Sequence, residues 1–125
     1  MDIETGKLVY VNAGHDYPLI MKNNEYTELK SESNLVLGVM KEDYLEHEIT
    51  LSSGDRILLF TDGVTDSISP ENEFYGVNRL LNSLENFNEL SVEDTLLHIK
   101  KSVSKFTKNQ DRFDDFTLLI IEFSP

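Results

Sequence analysis

Cysteine is absent from the 125 residues, which excludes disulfides, thiolate zinc sites and cysteine nucleophiles and fits a reducing compartment. Cations are scarce: 11 Lys and Arg stand against 23 Asp and Glu, a formal net charge of -12. A field of that sign disfavours nucleic acid and anionic membranes as partners. It would also repel a phosphorylated protein unless a bound cation reversed it locally. No apolar run approaches the length of a membrane span, and the N-terminus has neither the basic start nor the apolar stretch of a signal peptide. A soluble, cytoplasmic protein is therefore the expectation, with no membrane insertion. Repeats, linkers and low-complexity segments are missing too. The length suits a single domain that buries roughly two-thirds of the surface of its unfolded chain.

What is present centres on Arg56 to Asp66, RILLFTDGVTD. Ile57, Leu58, Leu59 and Phe60 are apolar on both faces of a strand, so this run reads as a buried central strand. It stops at a small polar loop with two carboxylates, Asp62 and Asp66. Gly63 is expected to let the backbone turn sharply as Asp62 leaves the sheet. On this segment alone Asp62-Gly63 is also compatible with an ordinary turn whose aspartate bonds its own backbone.

The flanking segments supply the layers such a strand needs. Lys7 to Val11 and Pro18 to Met21 read as strands separated by the polar break Asn12 to Asp16. Asn23-Asn24 is a hairpin signal leading into Glu25 to Lys30, so the first thirty residues suggest an antiparallel meander. Leu35 to Met40, broken by Gly38, fits either a short strand or an irregular buried crossing. Tyr44 to Leu51 has period two, with Leu45, His47, Ile49 and Leu51 on one face, and Ser52 to Asp55 is expected to fold it back on Ile57 to Phe60 as a hairpin. Val77, Leu80, Leu81 and Leu84 recur at helical spacing. Ser91 to Asp94 forms a capping box for a second helix with Leu96, Ile99, Val103 and Phe106 on its apolar face. Lys100, Lys101 and Lys105 lie towards that helix's end and suit its dipole. Phe116 to Phe123, FTLLIIEF, reads as another central strand.

Two features then mirror each other. One central strand exits into acid at Asp62, and another is entered from acid at Asp114-Asp115. Antiparallel neighbours would place both acids at the same sheet edge. Carboxylates gathered there repel, so the cluster calls for a cation, and all-oxygen ligation suits hard ions. The alternative is that Asp111, Asp114 and Asp115 only solvate a loop.

The words VNAGHDYPLI (Val11 to Ile20), GDRILLFTDGVTDS (Gly54 to Ser67), Phe74-Tyr75-Gly76 and DDFTLLII (Asp114 to Ile121) resemble, in order and spacing, the metal-dependent protein phosphatases of the bacterial SpoIIE and RsbU type. The resemblance spans essentially the whole chain. It implies an α+β fold, an antiparallel β-sandwich flanked by helices, with a two-metal Mg²⁺ or Mn²⁺ centre at one edge. It also implies hydrolysis of phosphoserine or phosphothreonine on a bacterial regulatory protein, such as an anti-sigma factor antagonist. In that family a metal-bridging water attacks phosphorus, so no protein nucleophile is required.

Carried over by position, Asp62 and Asp114 match metal-ligating aspartates, and Asp115 and Gly63 are weaker candidates beside them. Asn12 and His15 stand in the NAGH word, where a packed or hydrogen-bonded histidine is expected rather than a ligand. Asp66 falls where the family word varies, and a loop or helix-capping role suffices for it. The family's DxSGHG-like word, whose aspartate bridges both metals, has no counterpart among these residues. Residues 1–125 are accordingly expected to be the C-terminal portion of one phosphatase domain. The isolated chain should bind metal weakly or not at all and turn over negligibly. A catalytically inactive, phosphatase-like binding module is the competing reading. Uncovered strand edges further suggest a homodimer or strand-exchanged assembly.

Overall fold

The computed structural model describes residues 1–31, 44–87, 89–110 and 115–125. The expectation for Leu35 to Met40 lies outside them, as do Asp111 and Asp114.

Six strands and three helices are described. The strands are β1 (Lys7–Tyr10), β2 (Leu19–Lys22), β3 (Glu25–Glu28), β4 (His47–Thr50), β5 (Arg56–Phe60) and β6 (Leu118–Glu122). The helices are α1 (Asp62–Thr65), α2 (Gly76–Leu84) and α3 (Val92–Thr107). Four strands pair antiparallel in the order β3-β2-β5-β6, and β1 pairs antiparallel with β4 in a second sheet. The expected β-sandwich with flanking helices is therefore present.

Alternation along β2 and β5 builds two cores from one sheet. Leu19 and Met21 of β2, Leu58 and Phe60 of β5 and Ile120 of β6 pack with Leu80 and Leu84 of α2 and Ile99 and Val103 of α3. On the opposite face, Ile20 and Ile57 pack with Leu51 and Phe123, against which Leu8, Ile49 and Leu59 rest. This double burial is why RILLF is apolar on both faces. The nine-residue α2 is too short to persist alone in water, and its buried leucines hold it to the sheet. The 16-residue α3 begins at the capping box, where the Asp94 N–H donates to the Ser91 hydroxyl at 3.1 Å.

The hairpin at Asn23-Asn24 forms with both residues at positive φ, 51° and 61°, matching the twist of the strands it joins. Three other expectations are corrected. First, β4 and β5 do not form a hairpin, and β1 does not belong to a meander with β2 and β3. Ser52 to Asp55 instead carry the chain from one sheet to the other. The Asp55 carboxylate accepts from the Ser52 N–H at 2.9 Å, and the Gly54 N–H donates across to the Phe123 carbonyl at 2.8 Å. Half-wet β4 suits the two-stranded layer, while β5 must be covered on both faces. Gly6 secures the β1–β4 pair: a Cβ there would lie 2.1 Å from the Leu51 carbonyl oxygen, so only glycine permits the approach.

Second, β4 is shorter than the expected strand, and Leu45 lies outside it, exposed, whereas His47 and Ile49 face inward. Third, β6 is an edge strand among the described residues rather than a central one. Its apolar character serves both cores, through Ile120 on one face and, just beyond the strand, Phe123 on the other, yet Leu119 remains 51% exposed.

One buried charge ties β5, β6 and α3 together. Arg56, 7% exposed, donates from Nε to Glu122 at 2.6 Å and from Nη1 to the Thr95 hydroxyl at 3.3 Å. Burial alone opposes a charge here. The Tyr26 hydroxyl, buried nearby without a well-aligned hydrogen bond of its own, and the Glu122 carboxylate outweigh that penalty and raise the Arg56 pKa above its ordinary value. Glu122 is itself exposed and would be solvated without its partner, so the loss falls on the buried Arg56 side chain and the space it fills. Arg56→Ala is expected to destabilise the fold by about 2 to 3 kcal/mol, read as a lower denaturant midpoint with an unchanged m-value. A loss under about 1 kcal/mol would show that the pair is solvated and carries little.

Candidate functional site

Strand β5 runs antiparallel to β6 in a register that pairs Arg56 with Glu122 and Phe60 with Leu118. The end of β5 therefore lies beside the start of β6, as the arrangement of Asp62 and Asp114-Asp115 in the chain anticipated. Asp114 itself lies outside the described residues, so only the Asp115 side of the pair can be located.

Thr61 staples the two ends. Its N–H donates to the Thr117 carbonyl at 3.1 Å. Its hydroxyl donates to the Asp115 carbonyl at 2.7 Å and accepts from the Thr117 N–H at 3.1 Å. Sequence reasoning passed over Thr61; the signal available was a small hydroxyl residue at the junction of an apolar strand and an acidic turn.

Gly63 has a different role from the one expected. It lies inside α1 with no positive φ, so conformational freedom is not what it contributes. A Cβ at Gly63 would sit 2.0 Å from the Asp115 carbonyl oxygen and 2.6 Å from its carbonyl carbon. Glycine is required because two backbones touch there. The one-turn helix α1 is held from below by fully buried Val64 and by the Ser67 hydroxyl, which donates to the Gly63 carbonyl at 2.9 Å. Ser67 was likewise not singled out from the sequence. Asp66 closes the turn, its N–H donating to the Asp62 carbonyl at 2.7 Å, and its side chain is exposed, in keeping with a capping role.

Asp62 is thus carried on a rigid corner. Its carboxylate is exposed and makes no hydrogen bond or ion pair among the described residues. Asp115 is exposed as well and offers its backbone within contact of Gly63. Among the described residues no three His, Asp or Glu side chains come together to hold a metal ion. The Asp62 carboxylate is a hard oxygen donor of the kind Mg²⁺ or Mn²⁺ takes, but it is only part of the six-oxygen shell such an ion requires.

The NAGH word does structural work. The buried Asn12 side chain accepts from the His15 N–H at 2.8 Å and donates to the His15 carbonyl at 2.9 Å, closing a loop in which Gly14 takes φ 87°. His15 is exposed, with Nδ1 3.0 Å from the Asp16 carbonyl. The fold brings this loop across from the corner: Gly14 to Tyr17 form one wall of a cleft of about 420 Å³, and Phe60, Thr65 and Val77 are on the other. Phe60 and Thr65 flank Asp62 in the chain, and Asp62 itself is not among the residues that line the cleft.

Comparisons with known proteins agree with this geometry. Residues 1–124 match the sequence model of the family described as Stage II sporulation protein E (SpoIIE). The chain is 32% identical over 124 residues to Protein IcfG of Synechocystis sp., covering 97% of this chain and 19% of that protein. It is 31% identical over 123 residues to phosphoserine phosphatase RsbU of Bacillus subtilis, covering 96% of this chain and 36% of that one. Its backbone resembles the SiaA-PP2C domain of Pseudomonas aeruginosa with a TM-score of 0.78 at 19% identity, over 95% of this chain and 47% of that domain. The chain spans about a fifth and about a third of the length of these curated relatives, and about half of the solved domain. On this family match the chain belongs to the SpoIIE family, and its backbone has the fold seen in a PP2C domain.

Proposed function

We propose that residues 1–125 form the C-terminal portion of a metal-dependent phosphatase domain that hydrolyses phosphoserine or phosphothreonine on a bacterial regulatory protein, such as an anti-sigma factor antagonist. The observation that carries this reading is the contact of Gly63 with Asp115, which brings the Asp62 corner against the segment preceding β6. In this reading Asp62 and Asp114 are ligands to Mg²⁺ or Mn²⁺, and Asp115 supports them. The ions, when bound, would activate water and neutralise phosphoryl oxygens. The residues of this chain hold and orient: Thr61 and Gly63 keep the two acidic segments together, and the cleft below the NAGH loop admits the polypeptide around the phosphorylated residue. The match to a relative named as a phosphoserine phosphatase supports the substrate class.

The competing reading is a phosphatase-like module that binds a regulatory partner without chemistry. Both readings meet the same titration. Mn²⁺ is expected to bind the 125-residue chain weakly, and Asp62→Ala and Asp114→Ala are each expected to abolish binding, as followed by calorimetry. Turnover of a phosphopeptide by this chain alone should be negligible. Unchanged binding in either variant would remove that residue from the site, and robust metal-dependent hydrolysis would discard the non-catalytic reading.

Gly63→Ala tests the corner itself. The added methyl cannot be accommodated without parting Gly63 from Asp115, so destabilisation of about 1 to 3 kcal/mol is expected, together with loss of Mn²⁺ binding although no carboxylate has been removed. Retained metal affinity at full strength would show that the close approach is irrelevant to the site.

The proposed self-association rests on β6. Its register with β5 directs the backbone amides of Leu118, Ile120 and Glu122 away from β5, towards an edge with no neighbouring strand among the described residues, and Leu119 is exposed on one face. Such an edge accepts another strand. Light scattering at rising concentration is expected to show a dimer; a monomer throughout would count against it.

A further inference from the structure

The outward face of α3 has no part in the acidic corner or the cleft. Lys100, Lys101 and Lys105 stand exposed on it, and none has a carboxylate within ion-pair distance among the described residues. Every other described lysine and arginine, namely Lys7, Lys22, Lys30, Arg56, Arg79 and Lys108, is paired with Asp or Glu at 2.6 to 3.7 Å. In a chain with 23 acidic residues, cations are generally neutralised where they stand. The exceptions are gathered on one helical face. The helix dipole accounts for Lys105 in the last turn, but Lys100 and Lys101 precede that turn, where the effect has fallen away. The same face carries Leu97, 53% exposed. Leu97, Lys100, Lys101, Ser104 and Lys105 follow the spacing of a helical stripe and, with Asn109, line a shallow groove of about 560 Å³.

We infer that this face of α3 is a docking surface for an acidic amphipathic helix of a partner protein. Charge complementarity chooses the occupant. The stripe runs about 12 Å along the axis, two turns of a helix, and a partner helix with glutamates at successive turns and one apolar side chain would meet the lysines and Leu97 together. An anionic membrane or nucleic acid offers the same sign of charge, but its extended field would act on the whole chain, whose net charge is -12.

The test is a titration of the isotope-labelled 125-residue chain with a synthetic helical peptide carrying glutamates at i, i+3, i+4 and i+7 around a leucine, followed by NMR. Saturable shifts confined to Leu97 to Asn109 are expected, weakening as salt is raised. Affinity should fall at least ~10-fold in the triple variant Lys100→Glu, Lys101→Glu, Lys105→Glu. The corresponding Lys→Gln triple removes charge without reversing it, and should give an intermediate loss if charge reversal disturbs the helix. Absence of saturable shifts, or unchanged affinity in both triple variants, would overturn the assignment. Equal binding to phosphatidylserine vesicles would overturn it in favour of a membrane surface. Self-association that the triple variants abolish would overturn it in favour of a second copy.

Discussion

The contact between the Gly63 and Asp115 backbones is the constraint on which the rest of the site depends. Two segments more than fifty residues apart are brought so close that a single methyl group would separate them. Thr61 adds hydrogen bonds from both its backbone and its hydroxyl to the same short segment. The energetic source of this closeness is the antiparallel pairing of β5 with β6, buried on one face by α2 and α3 and on the other by the two-stranded sheet. The Arg56–Glu122 pair locks the far end of the same two strands. Strand register therefore sets which segment lies against the Asp62 corner. A slip by one residue would turn Leu58 and Phe60 from one core to the other and carry the acidic corner away from its counterpart.

Rigidity of this kind would suit the metal site proposed for this edge. A carboxylate on a mobile loop would lose conformational freedom each time it closed on a cation. Here α1 is held by buried Val64 and by the Ser67 hydroxyl before any ligand arrives, while the Asp62 side chain is left to solvent. The NAGH loop shows the same division. Asn12 is buried and spends its amide on the His15 backbone, and His15 is displayed at the rim of the cleft.

Much of this was legible in the sequence because local rules carry it. The hydroxyl cap at Ser91 and the hairpin at Asn23-Asn24 depend on neighbours within a few residues, and each formed as read; the two-faced burial of Ile57 to Phe60 was legible because both faces of the strand are apolar. The resemblance of TDG and DDFT to a phosphatase family pointed to the ends of β5 and β6, which the strand register brings side by side. The errors arose where pairing is non-local. Ser52 to Asp55 has a composition that turns a chain within a sheet or between sheets, and only the demand that β5 be covered on both faces sent β4 to the other layer. Phe116 to Phe123 is as apolar as a central strand, but apolarity reports burial of faces, not pairing of edges, and β6 has one open edge among the described residues.

By itself, then, the sequence determined the strands and helices with strong periodicity, the absence of thiol chemistry, the acidic field and the candidacy of Asp62. Tertiary structure alone decided which strands pair, why residue 63 must be glycine, that Thr61 and Ser67 serve the corner, and that three lysines on α3 have no ion-pair partner among the described residues. The physical reason is the same in each case. Propensity, capping and periodicity act over a few residues along the chain. Close approach, edge pairing and charge neutralisation act between residues that only folding makes neighbours.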